Sequence, residues 1–277
     1  MNYKILYPEI PNMGDLLNKD MLEELFHIQV ERGTYFNSNM SAIGSGLYKI
    51  QWANRLSKKM IKQMIYYPLV QYDYHVWGTG FLRYPDKKEN AFYFPKMHFH
   101  CLRGKLSQNR VEAIIHKKLD VPLADGGLLA ERWAGEQEKK YDIGIIPHFR
   151  ERDHHLVKKM QESYDNSIVI NLKEDPKTVV KTIASCKHIL SSSLHGLIVS
   201  DSYHIPNMHI RLYPMGERVQ GDGFKFADYY SSYGLEDKIY ALDINNLPST
   251  KDIEAAYRID AAEVEKKKNQ LISAFPR

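Results

Sequence analysis

The fold is decided by residues 184–201, ASCKHILSSSLHGLIVSD. A short apolar run, Ile189 and Leu190, meets three serines, and a second apolar run begins at Leu194 with helical spacing. This order predicts a buried strand, a polar turn and a helix, with Ser192 or Ser193 as the residue that caps the helix. In an open sheet of parallel strands, such a corner lies at the carboxyl edge, where ligands bind.

His195 falls in the first turn of this predicted helix, so we expect it to face the carboxyl edge. The N-terminus of a helix carries free N–H groups and the positive end of the helix dipole, which suits a phosphate or a carboxylate. A histidine at an ordinary strand–helix junction is also commonly a packed residue. The motif by itself leaves both interpretations open.

Composition limits the class of protein. The chain has 277 residues, 43% of them apolar and 26% charged, which predicts a folded protein of two compact halves. A net charge of +4 fits anionic substrates or a nearby membrane surface, but it is too small to indicate nucleic acid. Cys101 and Cys186 are the two cysteines, so neither a disulfide framework nor a metal site is expected. The N-terminal residues lack a signal-like apolar stretch and no run reaches membrane-span length, which predicts a cytoplasmic protein.

Apolar runs alternate with longer helical patterns along the chain, which is typical of βαβ units with parallel sheets. Five predicted strands end in polar or glycine-rich turns: Asn12–Asp15, Gly44–Gly46, Gly78–Gly80, Arg103–Ser107 and Ser191–His195. Glycine lets a backbone approach a ligand closely, although tight turns also use it for purely structural reasons. Neither Gly-x-Gly completes a dinucleotide-binding fingerprint. Together, the turns predict a cleft between two Rossmann-like domains. Its expected lining residues are Asn12, Gly14, Gly44, Gly46, Gly78 and Gly80.

The predicted domains follow from this pattern. An N-terminal Rossmann-like domain covers residues 1–138, and the charged stretch 132–140 links it to a second such domain over residues 139–249. The tail from Thr250 to Phe275 has the pattern of a single amphipathic helix, which we expect to pack back on the first domain.

Taken in order, these motifs resemble the polysaccharide pyruvyl transferase family. The matching elements are Asn12-x-Gly14-Asp15, Arg103 through Ser107, Asp125 through Leu129, and Ser193-Leu194-His195 continuing to Ile205-Pro206. A further stretch, Gly221 through Tyr230, is similar to the exopolysaccharide branch of that family. The elements are collinear and span nearly the whole chain.

The resemblance implies an α/β fold of two Rossmann-like domains facing across a cleft, like that of the GT-B glycosyltransferases. It also implies transfer of a pyruvyl group from phosphoenolpyruvate to two hydroxyls of a sugar in a cell-surface polysaccharide or its lipid-linked precursor. The product is a pyruvate ketal, with phosphoenolpyruvate as donor substrate and no cofactor or metal. Two other functions stay open at this point: a glycosyltransferase that uses a nucleotide sugar, and a non-catalytic carbohydrate-binding relative.

By resemblance, the donor is held by Arg103, His195 and Lys225, with Ser192, Ser193 and Arg150 as further contacts. Arg103 suits a bidentate grip on a carboxylate or phosphate, and Lys225 suits a second anionic group. His195 suits a hydrogen bond to the donor or a proton transfer. Surface salt bridges are the alternative for Arg103 and Lys225.

The catalytic acid is harder to place. Asp153 is the candidate in the turn after residues 143–147, with Glu151 and a plain solvated loop as competing interpretations. Asp15 is a second candidate acid or base, on the acceptor side, although it could equally cap its own helix.

The segment 48–67 mixes four basic residues with apolar ones. It could contact an anionic membrane, where a lipid-linked acceptor would lie, or simply cover a core.

Overall fold

Two parallel sheets form the framework of the molecule. The computed structural model of the chain describes residues 2–8, 12–34, 37–47, 73–85, 96–213, 222–243 and 245–277. Within these residues, ten strands form two five-stranded sheets with every pairing parallel. The chain is therefore α/β with two parallel sheets, as the alternation of apolar runs and helical patterns predicted.

The N-terminal sheet has the strand order β2-β1-β3-β4-β5. Its strands are β1 (Asn2–Ile5), β2 (Gln29–Arg32), β3 (Met40–Ser41), β4 (Tyr74–Val76) and β5 (Met97–Phe99). Its helices are α1 (Met13–Leu16), α2 (Asp20–Phe26), α3 (Lys105–Ile115) and α4 (Ala130–Ala134), with a 3-10 turn at Gly126–Leu129.

The C-terminal sheet has the order β10-β9-β8-β6-β7. Its strands are β6 (Tyr141–Ile146), β7 (Ser167–Val169), β8 (Cys186–Ser191), β9 (Asn207–Arg211) and β10 (Tyr240–Ala241). Its helices are α5 (His155–Ser163), α6 (Pro176–Ala184), α7 (Leu194–Ser202) and α8 (Phe224–Ser231). The predicted strand, serine turn and helix at residues 184–201 correspond to β8, the turn at 192–193 and α7.

The apolar core is continuous between the two sheets. Met13 and Trp77 from the N-terminal side belong to the same buried cluster as Ile146 and Leu197 from the C-terminal side. The backbone N–H of Met13 also donates to the carbonyl of Leu172 at 2.7 Å. The carboxyl ends of both sheets therefore approach each other through packed residues.

The prediction of one C-terminal helix is wrong. Two helices, α9 (Thr250–Ala256) and α10 (Ala261–Ser273), are separated by residues 257–260. Ser249 forms a capping box with Asp252 at the start of α9, and the Asp260 side chain accepts the N–H of Glu263 at the start of α10. A second N-cap inside the pattern begins a second helix, because it pairs N–H groups that a continuous helix would bond internally.

The end of α10 contacts the N-terminal sheet. The indole N–H of Trp77 donates to the carbonyl of Leu271 at 3.0 Å, and the Tyr3 hydroxyl donates to the carbonyl of Pro276 at 2.9 Å. The domain bounds at residues 138 and 249 stay a prediction.

Candidate functional site

The candidate site lies where the carboxyl end of the C-terminal sheet meets α1. We use this name for six residues: Asn12, Asp15, Glu151, Ser192, His195 and Lys225. Glu151 follows β6, Ser192 follows β8, and His195 is the second residue of α7. Because carboxyl ends of parallel strands share one edge of a sheet, residues distant in sequence meet here.

His195 packs against glycines of the N-terminal half. A Cβ on Gly14 would overlap the imidazole ring, and a Cβ on Gly44 would lie 3.3 Å from Cε1 of His195. Gly44 also has a φ of +90°, a conformation that favours glycine. Gly14 and Gly44 therefore leave room for the His195 ring, and their role in lining a ligand cleft stays a prediction.

The His195 imidazole is neutral at physiological pH. Burial, followed by the charges of Lys225 and Arg103, lowers its pKa to about 3. Its Nε2 atom is buried and has no hydrogen-bond partner among the described residues. A buried polar nitrogen without a partner is costly, so it marks a position for a ligand hydrogen bond.

Lys225 is the second residue of α8 and has a half-buried side chain. Burial and the Arg103 charge lower its pKa to about 8, while the charges of Asp15 and Glu151 act in the opposite direction. No hydrogen bond or ion pair engages its ammonium within the described part of the chain, although the ammonium lies 5.0 Å from the centroid of the Phe226 ring. At pH 7 Lys225 is a mostly protonated cation available to an anion.

Two carboxyl groups, those of Asp15 and Glu151, lie close enough to Lys225 for their charges to raise its pKa. Burial raises the pKa of Asp15, whose Oδ2 accepts a hydrogen bond from the Asn12 amide at 2.9 Å. Asp15 thus pairs with a side chain rather than capping α1. Burial also raises the pKa of Glu151, whose Oε2 accepts from the Ser192 hydroxyl at 2.5 Å. A raised pKa favours the protonated form of each carboxyl, and perturbed pKa values of this kind cluster at functional sites.

The turn after β6 places its two candidate acidic residues in different surroundings. Asp153 is exposed and makes no hydrogen bond with the other described residues, whereas Glu151 is buried and joined to Ser192. Ser192 itself accepts the backbone N–H of His148 at 2.9 Å, which fixes its hydroxyl toward Glu151. The structure therefore brings Glu151, and not Asp153, to the candidate site.

Ser193 and Arg150 lie close to the site in sequence but differ in setting. Ser193 occupies the N-cap position of α7, yet its side chain makes no capping hydrogen bond, and its N–H donates to the Ser191 hydroxyl instead. Arg150 is exposed, with its guanidinium 5.5 Å from the Phe149 ring centroid.

Arg103 is not a surface residue, and protein groups engage its guanidinium. Its side chain is 0% exposed and ion-pairs with Asp228, with 2.9 Å between Nη2 and Oδ2. Its Nε donates to the Asp228 carboxylate, its Nη1 to the Gly44 carbonyl and the Ser45 hydroxyl, and its Nη2 to the Phe81 carbonyl. A buried guanidinium with a protein partner at each nitrogen does not offer the predicted direct grip on a donor.

The remaining glycines predicted to line a cleft are packed inside the protein. The hydroxyl of Thr79 accepts the N–H of Gly46 at 2.8 Å, and the Gly80 N–H donates to the Gly44 carbonyl at 3.1 Å. A Cβ on Gly78 would lie 2.7 Å from the backbone nitrogen of Gly126. Gly46, Gly78 and Gly80 therefore serve close packing between turns rather than ligand access.

Sequence reasoning did not single out Asp228 and gave Asp125 no role. Asp228 is 0% exposed and is the carboxylate that pairs with Arg103. Asp125 is fully buried, and burial raises its pKa to about 7 against the charge of Arg103. Both residues belong to stretches that carry the family resemblance, but nothing in their local pattern shows that they face Arg103.

The comparisons with known proteins identify the family. The sequence matches the model of the polysaccharide pyruvyl transferase family over residues 12–212, which is more than half of the chain. The chain belongs to the polysaccharide pyruvyl transferase family. It is also similar to an uncharacterized protein of Acanthamoeba polyphaga mimivirus, with 28% identity over 271 residues that cover 95% of this chain and 86% of the relative. The family match includes every residue of the candidate site except Lys225.

Two further findings concern metals and membranes. Among the described residues, no group of three or more histidine, cysteine, aspartate or glutamate side chains is arranged to hold a metal ion. Within the same residues, no helix is long and apolar enough to cross a membrane. The basic segment 48–67 lies outside the described residues.

Proposed function

We propose that this chain transfers a pyruvyl group from phosphoenolpyruvate to two hydroxyls of a sugar, forming a pyruvate ketal. The acceptor belongs to a cell-surface polysaccharide or its lipid-linked precursor. The observation that carries the proposal is the unpaired Lys225 cation between two carboxyls of raised pKa, beside the unpartnered Nε2 of His195. Family membership supports the transferase class.

The donor is small and highly charged, and the site matches those properties. Lys225 supplies a positive charge in a half-buried setting, where screening by water is reduced. The N-terminus of α7, which follows Ser192 and Ser193, supplies N–H donors for a phosphate or a carboxylate. In this proposal Arg150, an exposed residue of the same turn as Glu151, adds positive charge near the site. The neutral imidazole of His195 offers one hydrogen bond through Nε2.

The reaction needs a proton donor and a proton acceptor. The first sugar hydroxyl adds to C2 of the donor while the methylene carbon C3 gains a proton, and phosphate then leaves C2 as the second hydroxyl adds there. Glu151 is the acid in this proposal, because burial raises its pKa and so favours the protonated form that can give a proton to C3. Asp15 accepts a proton from an attacking hydroxyl. One hydroxyl proton balances the proton given to C3, and the other leaves with phosphate.

A lipid-linked acceptor would place this reaction at the inner face of the cytoplasmic membrane. The chain's net charge of +4 is in keeping with an anionic membrane surface.

A thermal-shift comparison tests the donor class. We expect phosphoenolpyruvate to raise the melting temperature and UDP- and GDP-sugars not to do so, because a ligand that binds the folded state stabilises it. Phosphate release from phosphoenolpyruvate in the presence of acceptor saccharides then tests transfer. A shift with a nucleotide sugar alone would favour a glycosyltransferase. Binding of saccharides without any phosphate release would favour a non-catalytic relative.

A further inference from the structure

Asp228 joins the two halves of the chain through one buried carboxylate. Besides Arg103, it accepts the backbone N–H of Ser107 at 2.7 Å and the Ser107 hydroxyl at 2.6 Å. Ser107 lies in the first turn of α3, whereas Asp228 lies on α8. The carboxylate thus caps the N-terminus of a helix in the other half. In most helices this role belongs to the side chain of the helix's own N-cap residue.

Ser231 strengthens the same junction. Its hydroxyl oxygen accepts the backbone N–H of Lys105 at 2.9 Å. The residue at the N-cap position of α3 is Gly104, which has no side chain to satisfy these N–H groups. The start of α3 is therefore capped from α8, by two residues one helical turn apart.

Two glycines make this close approach possible. A Cβ on Gly104 would overlap the carbonyl oxygen of Asp228, and a Cβ on Gly80 would fall among the side chains of Asp228, Arg103 and Ser107. The φ of Gly104 is −154°, which any residue adopts. The need for glycine at position 104 is therefore one of space, and any side chain there would push α8 away from α3.

Lys225 lies on the same short helix as Asp228, one turn before it. Phe226, between them, stacks on His209 at a centroid distance of 3.9 Å. Tyr229 donates to Asp201 at 2.7 Å. Contacts on both sides of α8 therefore fix the helix, and the side toward α3 depends on Asp228 and Arg103.

We propose that Arg103 and Asp228 are positioning residues, which hold α8 against α3 and so place the Lys225 ammonium in the candidate site. Arg103 then acts on the donor through Lys225 rather than by contact. This inference rests on the proposed function, in which Lys225 binds the phosphoenolpyruvate anion.

Gly104→Ala tests the proposal without changing a charge. The added methyl group displaces α8, and a displacement of about 1 Å can cost on the order of 100-fold in a site that depends on placement. We expect the dissociation constant of phosphoenolpyruvate, measured by calorimetry, to rise by about tenfold or more. Gly135→Ala is the matched control, because Gly135 has a φ of +70° and open space around its Cβ position, so its strain leaves α8 in place. A folded Gly104→Ala protein with the parent affinity would overturn the proposal.

A charge cycle separates positioning from contact. Arg103→Gln and Asp228→Asn each leave an uncompensated buried charge, whereas the double variant removes both charges. If Arg103 positions Lys225, both single variants weaken phosphoenolpyruvate binding and the double variant is weakened less than either. If Arg103 contacts the donor, the loss in Arg103→Gln persists fully in the double variant and the proposal is wrong. A third outcome also contradicts the proposal. If the double variant regains stability while all three variants bind phosphoenolpyruvate with the parent affinity, Arg103 and Asp228 form a structural pair only.

A readout without donor separates this inference from the proposed function. Competitive acylation of Lys225, followed by peptide mass spectrometry across pH, reports its ionisation directly. We expect a midpoint near pH 8 in the parent protein and a higher midpoint in Gly104→Ala, because displacement of α8 hydrates the ammonium. If the parent protein does not bind phosphoenolpyruvate but this shift occurs, the function fails and the positioning role stands. If the parent binds and the midpoint does not move, the positioning role fails.

Discussion

Lys225 and Lys268 are two lysines in the interior of this fold with opposite surroundings. The Lys268 ammonium, on α10, lies 2.6 Å from both the Ser202 carbonyl and Glu265, and 3.1 Å from Glu131. The Lys225 ammonium, on α8, has no such partner among the described residues. Lys268 is buried and paired, whereas Lys225 is half-buried and unpaired. The difference fits the proposed roles, in which Lys268 stabilises the fold and Lys225 binds a ligand.

The same contrast separates two clusters of polar groups. In the pair formed by Arg103 and Asp228, each guanidinium nitrogen donates to a protein acceptor. In the candidate site, His195 has an unpartnered nitrogen and the carboxyls have raised pKa values. Polar groups whose hydrogen bonds are all made within the protein can hold a site in place. Polar groups that lack a protein partner are available to a ligand.

The largest expected effect is on phosphoenolpyruvate binding, in a comparison of two single variants, Lys225→Met and Lys268→Met. Lys225→Met should weaken phosphoenolpyruvate binding by about 100-fold, since it removes a charge-assisted contact to the donor. Its unfolding free energy should stay the same or rise, because an unpaired buried charge is lost. Lys268→Met should leave donor binding unchanged and lower the unfolding free energy by about 1–3 kcal/mol. Calorimetry and urea unfolding measure the two quantities, and equal donor affinity in both variants would remove the distinction between the lysines.

A second comparison sets Glu151 against Asp153. Glu151→Gln removes the proposed acid while keeping an oxygen that can accept from Ser192, so we expect pyruvate transfer to fall by about 100-fold. Asp153→Asn changes an exposed carboxyl and should transfer pyruvate at the parent rate. The initial rate of phosphate release at saturating acceptor gives both values. A reversed order would return the acid to Asp153.

Much of the fold could be predicted from local pattern, and much of the site could not. The alternating runs and the corner at Ser191–His195 carry the periodicity of a strand and then a helix. Burial of Arg103 has no local signal, because Asp228 lies 125 positions away and the other acceptors are the Gly44 and Phe81 carbonyls and the Ser45 hydroxyl. The break before α10 did have a signal: Asp260 followed by Glu263 is an N-terminal capping pattern inside the amphipathic tail.

Glu151 and Asp153 show a different limit of sequence reasoning. Both are acidic residues in one turn, two positions apart, and only Glu151 is buried. Only the path of the chain after β6, fixed by the hydrogen bond from the His148 N–H to Ser192, places Glu151 against the site. Turn geometry of this kind depends on contacts with another strand, so composition and spacing do not determine it.

His195→Ala should have a smaller effect on transfer than the loss of Lys225. A neutral imidazole offers one hydrogen bond to the donor, and losing it should slow transfer by about tenfold. The melting temperature should change little, because Leu194, Leu197 and Ile198 hold α7 in the core. Transfer at the parent rate would show that His195 is only a packed residue at the corner.

The smallest effect concerns Asp201, a buried carboxyl that has partners but no cation. It accepts hydrogen bonds from Asn207 at 2.6 Å and Tyr229 at 2.7 Å, and burial raises its pKa to about 7. Because the folded pKa lies above the unfolded value of about 3.9, the group's stabilising contribution is complete below about pH 4. It is lost as the pH rises to about 7, at up to roughly 1.4 kcal/mol per pH unit.

Asp201→Asn removes this titration while keeping a neutral group in place. The decline in unfolding free energy between about pH 4 and pH 7 should therefore be shallower than in the parent protein. Urea unfolding across that range measures the slope. The Asp201→Asn variant still contains Asp125, whose pKa is also raised to about 7. Part of the decline should therefore persist in this variant. An unchanged slope would mean that Asp201 is ionised in the fold, and that hydrogen bonds from Asn207 and Tyr229 suffice to hold a buried charge without a cation.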